Sequence, residues 1–383
     1  MSLRVTVDAR ALDLPYLRGQ GIGRYTAALV EALEPVSRER GGSLTVLRSA
    51  GGSPSPFAAG GERDGSVLRL RRPRLPESLA IPAEQLLLRR DLRRAQAQVL
   101  HATSPFRAVP APGVPWVLSL HDVIPLLFPE DYLRSGILYR LMYATARRAR
   151  LILAPSRRAR EDIVGKLGLP GDLVRVVPGA AADRFRPTPA DEALLEEIGI
   201  ASPYVLYVGG LAESDPRKGV DDLIDAFAAW SAAGERPETL VLTGRLGDAA
   251  HPLRERARRT GARIRFTGFV PDEQLPALYS AARCLVTASR YEGFDLPALE
   301  SLACGTPVVA FRVGAHEEVA GPGALLVEPG GMNALIGAVQ QLCDDERLRD
   351  RLSADGRAHV ATFSWRRSAA LAWDAYEYAA GMP

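Results

Sequence analysis

Short apolar runs alternate with amphipathic helical stretches along nearly all of the 383 residues. That alternation predicts an α/β protein built on doubly wound parallel sheets. The length is too great for one ordinary domain and comfortable for two. A stretch rich in proline and alanine with little strand character, residues 176–203, separates two halves of the same rhythm. The expectation is therefore two Rossmann-like doubly wound parallel-sheet domains facing a cleft, with ligands at the carboxyl ends of the strands.

In the first half, "LRVTVDA" (3–9) reads as a strand and "IGRYTAALVEAL" (22–33) as an amphipathic helix. "QVLHA" (98–102), "PWVLSL" (115–120) and "LILAPS" (151–156) have strand length, and 136–149 is helical. "RRAREDIVGKLG" (157–168) is a helix ended by Gly168 and Pro170. Residues 51–66 form a Gly/Ser/Pro loop.

The second half gives strands at 204–210, 239–244, 263–270, 284–289 and 307–311, with helices at 220–230 and 273–282. Boundaries follow. An N-terminal Rossmann-like domain spans 1–182, a linker 183–203, and a C-terminal Rossmann-like domain 204–363.

Charge and composition exclude several classes. Residues 1–190 carry 29 Arg/Lys against 17 Asp/Glu, and the rest carry 19 against 28. The first half is thus +12 and the second −9. Such asymmetry fits two modules with different partners. A basic half suits an anionic lipid surface, nucleic acid or an acidic acceptor; solvated arginine on an Arg-rich chain is the plainer reading. The stretches 86–96 and 69–74 supply much of that charge.

No run approaches the roughly 20 apolar residues of a membrane span, and the start "MSLR" leads straight into an apolar strand with no signal peptide expected. Cys284, Cys304 and Cys343 lack metal-ligand spacing and read as free thiols of a reducing cytosol.

Three loops could hold an anion. "RGQGIGRYT" sets Gly19, Gly21 and Gly23 ahead of a helix, where backbone N–H groups and the helix dipole favour phosphate. About ten residues separate it from the first strand, which argues against a dehydrogenase fingerprint. "YVGGLAESDPRKGVDDL" ends a strand, opens on Gly209 and Gly210, and sets Arg217 and Lys218 before a helix. An arginine fork and a lysine point charge together suit a diphosphate.

"RYEGFDLPALESLACGTPVV" (290–309) starts a helix at Pro297 and ends it at Gly305. Glu300 sits one turn in, where a carboxylate can accept a ribose diol. Glu292 precedes the helix, free to meet a sugar or a cation. Paired carboxylates could also serve glycoside hydrolysis, but three anion loops make little sense for a neutral glycan.

"EGFDLPALESLACGTPVVA" resembles the Glu-x7-Glu signature of retaining GT-B glycosyltransferases of family 4, the glycosyl transferases group 1. "YVGGLAESDPRKGVDDLIDAF", "GIGRYT", "LSLHDVIPL", "VRVVPGAAADRFRP", "IRFTGFVPDEQLPALYSAA" and "AHEEVAGPGALLVEP" resemble further family segments in the expected order, over nearly the whole chain.

The resemblance implies a retaining hexosyltransferase dependent on a nucleotide-diphosphate sugar and active in polysaccharide biosynthesis. Its sugar would be mannose or a related hexose, and its acceptor a glycan or lipid-linked molecule. Arg217 and Lys218 would hold the diphosphate and stabilise its departure. Glu300 would bind the ribose. Glu292, with the backbone N–H groups of Phe294, Asp295 and Leu296, would face the donor sugar. Gly21, with Gly209 and Gly210, would approach the diphosphate, Val270 would touch the base, and His121 would lie near the transferred sugar.

The family also implies that the helix 364–380 packs back on the first domain. No cofactor and no metal are expected, since no Asp-x-Asp cluster is evident and Arg/Lys would replace the metal. Nor is nucleic acid an expected partner. A cytoplasmic location is expected, with peripheral association on an anionic inner membrane face through the basic first half.

Asp295 departs from the family's usual glycine. It can cap the helix or bond a sugar hydroxyl. A nucleotide-sugar epimerase of the same fold and a non-catalytic nucleotide-sugar-binding protein are the alternatives. A pyridoxal phosphorylase would need a Schiff-base lysine, for which Lys166 and Lys218 are poorly placed.

Overall fold

The computed structural model describes residues 2–13, 21–49, 67–70, 87–105, 112–132, 136–200, 203–211, 215–234, 236–248 and 250–382. They form two units: Met1–Gly179 with Ser364–Pro383, and Ala180–Phe363.

The first unit is a parallel sheet ordered β3-β2-β1-β4-β5-β6-β7. Its strands are β1 (Arg4–Asp8), β2 (Ser43–Ser49), β3 (Val67–Leu70), β4 (Val99–Ala102), β5 (Trp116–Ser119), β6 (Leu151–Ala154) and β7 (Val174–Val176). The strand order reverses between β1 and β4. Four-residue strands such as β4 to β6 are buried at every position, so they show no polar–apolar alternation, and β4 and β5 each bury one polar residue, His101 and Ser119.

The helix Gly21–Glu39 runs past the stretch expected from the sequence and carries Pro35 inside it. It packs Tyr25, Leu29, Val30 and Leu33 against Val5, Val7 and Val99. The helix Trp365–Ala379 lies in this same core through Ala369, Ala372, Trp373 and Tyr376. Ser368 Oγ fastens it by donating to the Pro178 carbonyl at 2.6 Å.

On the helical residues 87–94, Leu88 and Leu92 are buried while Arg89, Arg90, Arg93 and Arg94 face solvent. Residues 51–66, Gly19 and most of 69–74 lie outside the described residues.

The second unit is a parallel sheet ordered β10-β9-β8-β11-β12-β13. Its strands are β8 (Tyr204–Val208), β9 (Thr239–Thr243), β10 (Ile264–Gly268), β11 (Cys284–Thr287), β12 (Val308–Phe311) and β13 (Ala324–Val327). Here the order reverses between β8 and β11. In such sheets the crevice at the reversal is where ligands bind.

The stretch set apart from sequence as a linker, 183–203, packs within this unit. Phe185, Leu195 and Ile200 are buried in its core with Tyr279 and Leu299. Few apolar residues are spread thinly among its prolines and alanines, which hides the packing from a pattern reading.

No helix among the described residues is long and apolar enough to cross a membrane. Likewise no group of three or more His, Cys, Asp or Glu among them could hold a metal.

Candidate active site

In the second unit, two loops leave the carboxyl ends of β8 and β11, the adjacent strands at the reversal. The loop after β8 begins at Gly209, whose N–H donates to the Thr243 carbonyl at 3.0 Å. Gly244, at φ +153°, lies so close that a Cβ on it would stand 1.8 Å from the Gly209 carbonyl oxygen. Asp215 then caps a short turn, Pro216–Lys218, by accepting from the Arg217 N–H at 3.1 Å. Gly219 closes that turn at φ +62°, a left-handed conformation that glycine adopts without strain. The Arg290 N–H donates to the Arg217 carbonyl at 2.7 Å, which ties the two loops together.

The side chains meet where the loops meet. Lys218 Nζ stands 2.6 Å from Glu292 Oε1, and Arg217 Nη1 stands 3.0 Å from the same oxygen. Arg217 also grips Asp215 Oδ2 at 2.8 Å and donates to the Tyr291 carbonyl. Only 7% of the Arg217 side chain is exposed, against 24% for Lys218 and 13% for Glu292. The buried arginine therefore braces the carboxylate, and the lysine is the cation open to an arriving ligand. Burial works to raise the Glu292 pKa, but Lys218 and Arg217 outweigh it and hold the carboxyl well below the usual range.

The 290–309 stretch forms the helix Leu296–Ala303 with Pro297 in its first turn. Asp295 is its N-cap and accepts from the Ala298 N–H at 3.3 Å. Asp295 sits at φ +77°, a left-handed conformation uncommon for a side-chain-bearing residue. Glu300 is buried, and its Oε2 accepts from the Tyr279 hydroxyl at 3.2 Å. The Phe294 ring turns into the core beside Phe363, which leaves backbone as the part of Phe294 that can face a ligand. Leu296 is likewise buried. Val270 is buried after β10, next to Phe269, whose ring is 61% exposed.

Gly21 and His121 belong to the first unit. Gly21 opens its helix with nothing within 4 Å of where a Cβ would stand. His121 follows β5, with Nε2 3.2 Å from the Thr103 carbonyl and its ring edge-on to Tyr25 at 4.9 Å. The Tyr25 hydroxyl donates to the Val177 carbonyl at 2.8 Å. Burial lowers the His121 pKa to about 4, with Thr103 opposing, so the imidazole is neutral near pH 7. A carbonyl only accepts, so Nε2 carries the proton and Nδ1 is left as an acceptor.

Sequence reading did not find four residues that shape this region. Asp215 orients Arg217, Tyr279 holds Glu300, and Tyr207 and His316 are buried beside the acidic turn. The Tyr207 hydroxyl is buried without a hydrogen-bond partner among the described residues, and burial raises its pKa, with Glu292 adding to the rise. His316 Nε2 lies 3.1 Å from Asp295 Oδ2.

Residues 202–345 match the family model for glycosyl transferases group 1, and residues 19–181 that for glycosyltransferase family 4. The O-antigen chain mannosyltransferase B of Escherichia coli is 32% identical over 269 residues, 68% of this chain and 70% of that protein. The serotype-specific mannosyltransferase WbdA of Escherichia coli is 28% identical over 289 residues, which is 72% of this chain but only 35% of that longer protein. Among solved structures, HepE of Anabaena in complex with UDP and glucose superposes with a TM-score of 0.74 at 21% identity, covering 98% of this chain and 99% of that one. The two parallel-sheet units are those of the GT-B fold. The chain belongs to glycosyltransferase family 4, the glycosyl transferases group 1.

Proposed function

We propose that this glycosyltransferase moves a hexose of the mannose type, with retention, from a nucleoside-diphosphate donor to a glycan or lipid-linked acceptor. The observation that carries the reading is Lys218 and Arg217 converging on Glu292 at the strand reversal of the second unit. Breaking a glycosyl–phosphate bond leaves charge on the diphosphate, and preorganised cations stabilise that charge as it develops.

Lys218 would meet the leaving phosphate directly, and Arg217, buried and braced by Asp215, would fix the loop and add its charge. Glu300 would take the ribose diol, with Tyr279 holding one of its oxygens. Glu292 and the backbone of 294–296 would face the sugar, and Val270 the base. Gly21 would serve the diphosphate through its backbone. The neutral His121 could accept from a sugar hydroxyl at Nδ1.

With no protein nucleophile, the acceptor would attack from the leaving-group face and lose its proton to a phosphate oxygen. Two mannosyltransferases among the relatives support the sugar, and the HepE complex with UDP and glucose supports a nucleotide sugar as donor class.

Thermal shift with a panel of nucleotide sugars tests the reading. A ligand at 100 times its Kd stabilises by about 2.7 kcal/mol, which is readily seen. Stabilisation by one nucleotide family is expected, and indifference to every nucleotide sugar would overturn the donor assignment.

A further inference from the structure

His316 ends a chain of contacts that braces the acidic turn from behind. Its Nδ1 lies 2.7 Å from the Phe311 carbonyl. That oxygen only accepts, so Nδ1 carries a hydrogen. Its Nε2 then faces Asp295 Oδ2 at 3.1 Å, an ion-pair distance, and neither atom has a hydrogen-bond partner among the described residues. Both side chains are buried, His316 completely and Asp295 to 7% exposure. A bare nitrogen lone pair against a bare carboxylate oxygen would repel in that setting. A proton between them removes the repulsion, whichever atom holds it.

The same segment supports the other end of the turn. The Ala315 N–H donates to the Glu292 carbonyl at 2.9 Å. Gly314, at φ +54°, packs so closely that a Cβ on it would stand 2.3 Å from the same oxygen.

We propose that Asp295 and His316 share one proton and act as a single neutral unit that positions the 292–296 turn, so that the donor site holds its shape only while that proton is kept. The proposal rests on reading this turn as the donor-sugar site and gives it a pH-dependent control. It also settles what an aspartate does beside an incoming diphosphate: its charge is cancelled from behind. Loss of the proton leaves Asp295 Oδ2 buried and charged against a bare nitrogen, on a left-handed backbone, and the turn must open to hydrate it.

The charged groups facing His316 are Asp295 and Glu292. Burial alone would lower the imidazole pKa, but these carboxylates and the Phe311 carbonyl outweigh it and raise it above 6.5. Glu292 is already matched by Lys218 and Arg217. On neighbouring elements, Arg312 turns to Glu317 and Glu328, Glu300 is held by Tyr279, and His359 meets the Glu318 carbonyl.

Histidine-selective 15N NMR on the full chain tests the shared proton without any ligand. The chain has five histidines, and H316Q identifies the resonance. His316 is expected to titrate above the ordinary histidine value, and D295N to lower that midpoint. A His316 midpoint that D295N leaves unchanged would overturn the pairing.

Calorimetry with GDP-mannose and UDP-glucose from pH 6 to 9.5 tests the positioning. Affinity for whichever binds should fall about tenfold or more through the same midpoint. H316A should weaken binding at every pH. H316Q, whose amide can donate to Asp295 without titrating, should restore most of it and bind with flat pH dependence. An alkaline step that persists in H316Q would overturn positioning by the pair. A wild-type chain that binds neither donor at any pH would instead sink the donor-site reading, while the spectra still decide the pairing.

Discussion

Glu292→Gln separates the two demands placed on the cation cluster. In the ligand-free chain, Glu292 occupies Lys218 at 2.6 Å and Arg217 at 3.0 Å. At an effective dielectric near 20, a unit pair 2.6 Å apart attracts by about 6 kcal/mol. The cost of burying the carboxylate takes back half or more, and the residual exposure of Lys218 screens the rest. The net loss expected is about 2–3 kcal/mol, or a Tm lower by roughly 5–10 °C for a unit of this size.

The sign with pH follows from a depressed carboxyl pKa. The stabilisation is fully present above the ordinary value of 4.5 and is lost as pH falls through the folded-state value. The gap between wild type and E292Q should therefore be constant near neutrality and narrow progressively as pH falls below 4.5. A freed Lys218 should also bind a diphosphate better. E292Q is expected to hold GDP or UDP about 3- to 10-fold more tightly, a gain of about 1 kcal/mol, while turnover falls about a hundredfold. Melting curves across pH and calorimetry with the free diphosphates measure both. An unchanged Tm with unchanged diphosphate affinity would refute the argument that Glu292 is held by, and competes for, these cations.

Glu300→Ala removes a buried charged acceptor and should weaken nucleotide binding roughly ten- to a hundredfold, about 1.5–3 kcal/mol, with far-ultraviolet dichroism unchanged; calorimetry checks it. Lys218→Ala should lower kcat more than it raises the donor KM, because its charge matters most as the diphosphate leaves; steady-state kinetics separate the two. Tyr376→Phe breaks the 2.7 Å bond to His101 Nδ1, whose other nitrogen meets Ser119 Oγ at 2.9 Å. It should cost about 1–3 kcal/mol in urea unfolding and leave nucleotide affinity alone.

Much of the scaffold was legible because buried parallel strands are short and mostly apolar. β1, β8, β9, β11 and β12 fall within the runs that predict them. β2 was not found, since "SLTVLRS" is polar at both ends and carries Arg48 next to its last residue. That guanidinium is buried because Asp13, 35 positions upstream, pairs with it at 2.6 Å. No local pattern reveals such a partner.

The same limit applies to the site. Arg217, Lys218, Glu292 and Glu300 lie in compact motifs that announce themselves, and Lys218 is one of only two lysines among 48 basic residues. Tyr279 reaches Glu300 from 21 positions away, and His316 reaches Asp295 from the same distance. Each is an ordinary residue in its own segment and acquires a role only through packing. Asp295 as a helix cap was one of two readings open from sequence, and the cap is present in the fold. Its partner behind the turn had no signal in the chain.

The most direct test of the central claim is to incubate the chain with α-linked nucleotide sugars and mannose-bearing oligosaccharide acceptors. Release of nucleoside diphosphate and the anomeric proton of the product are then followed by NMR. The account predicts acceptor-dependent diphosphate release, a new glycosidic linkage with the donor's α configuration, and loss of both in K218A. An isomerised donor with no acceptor product, or a β-linked product, would contradict it.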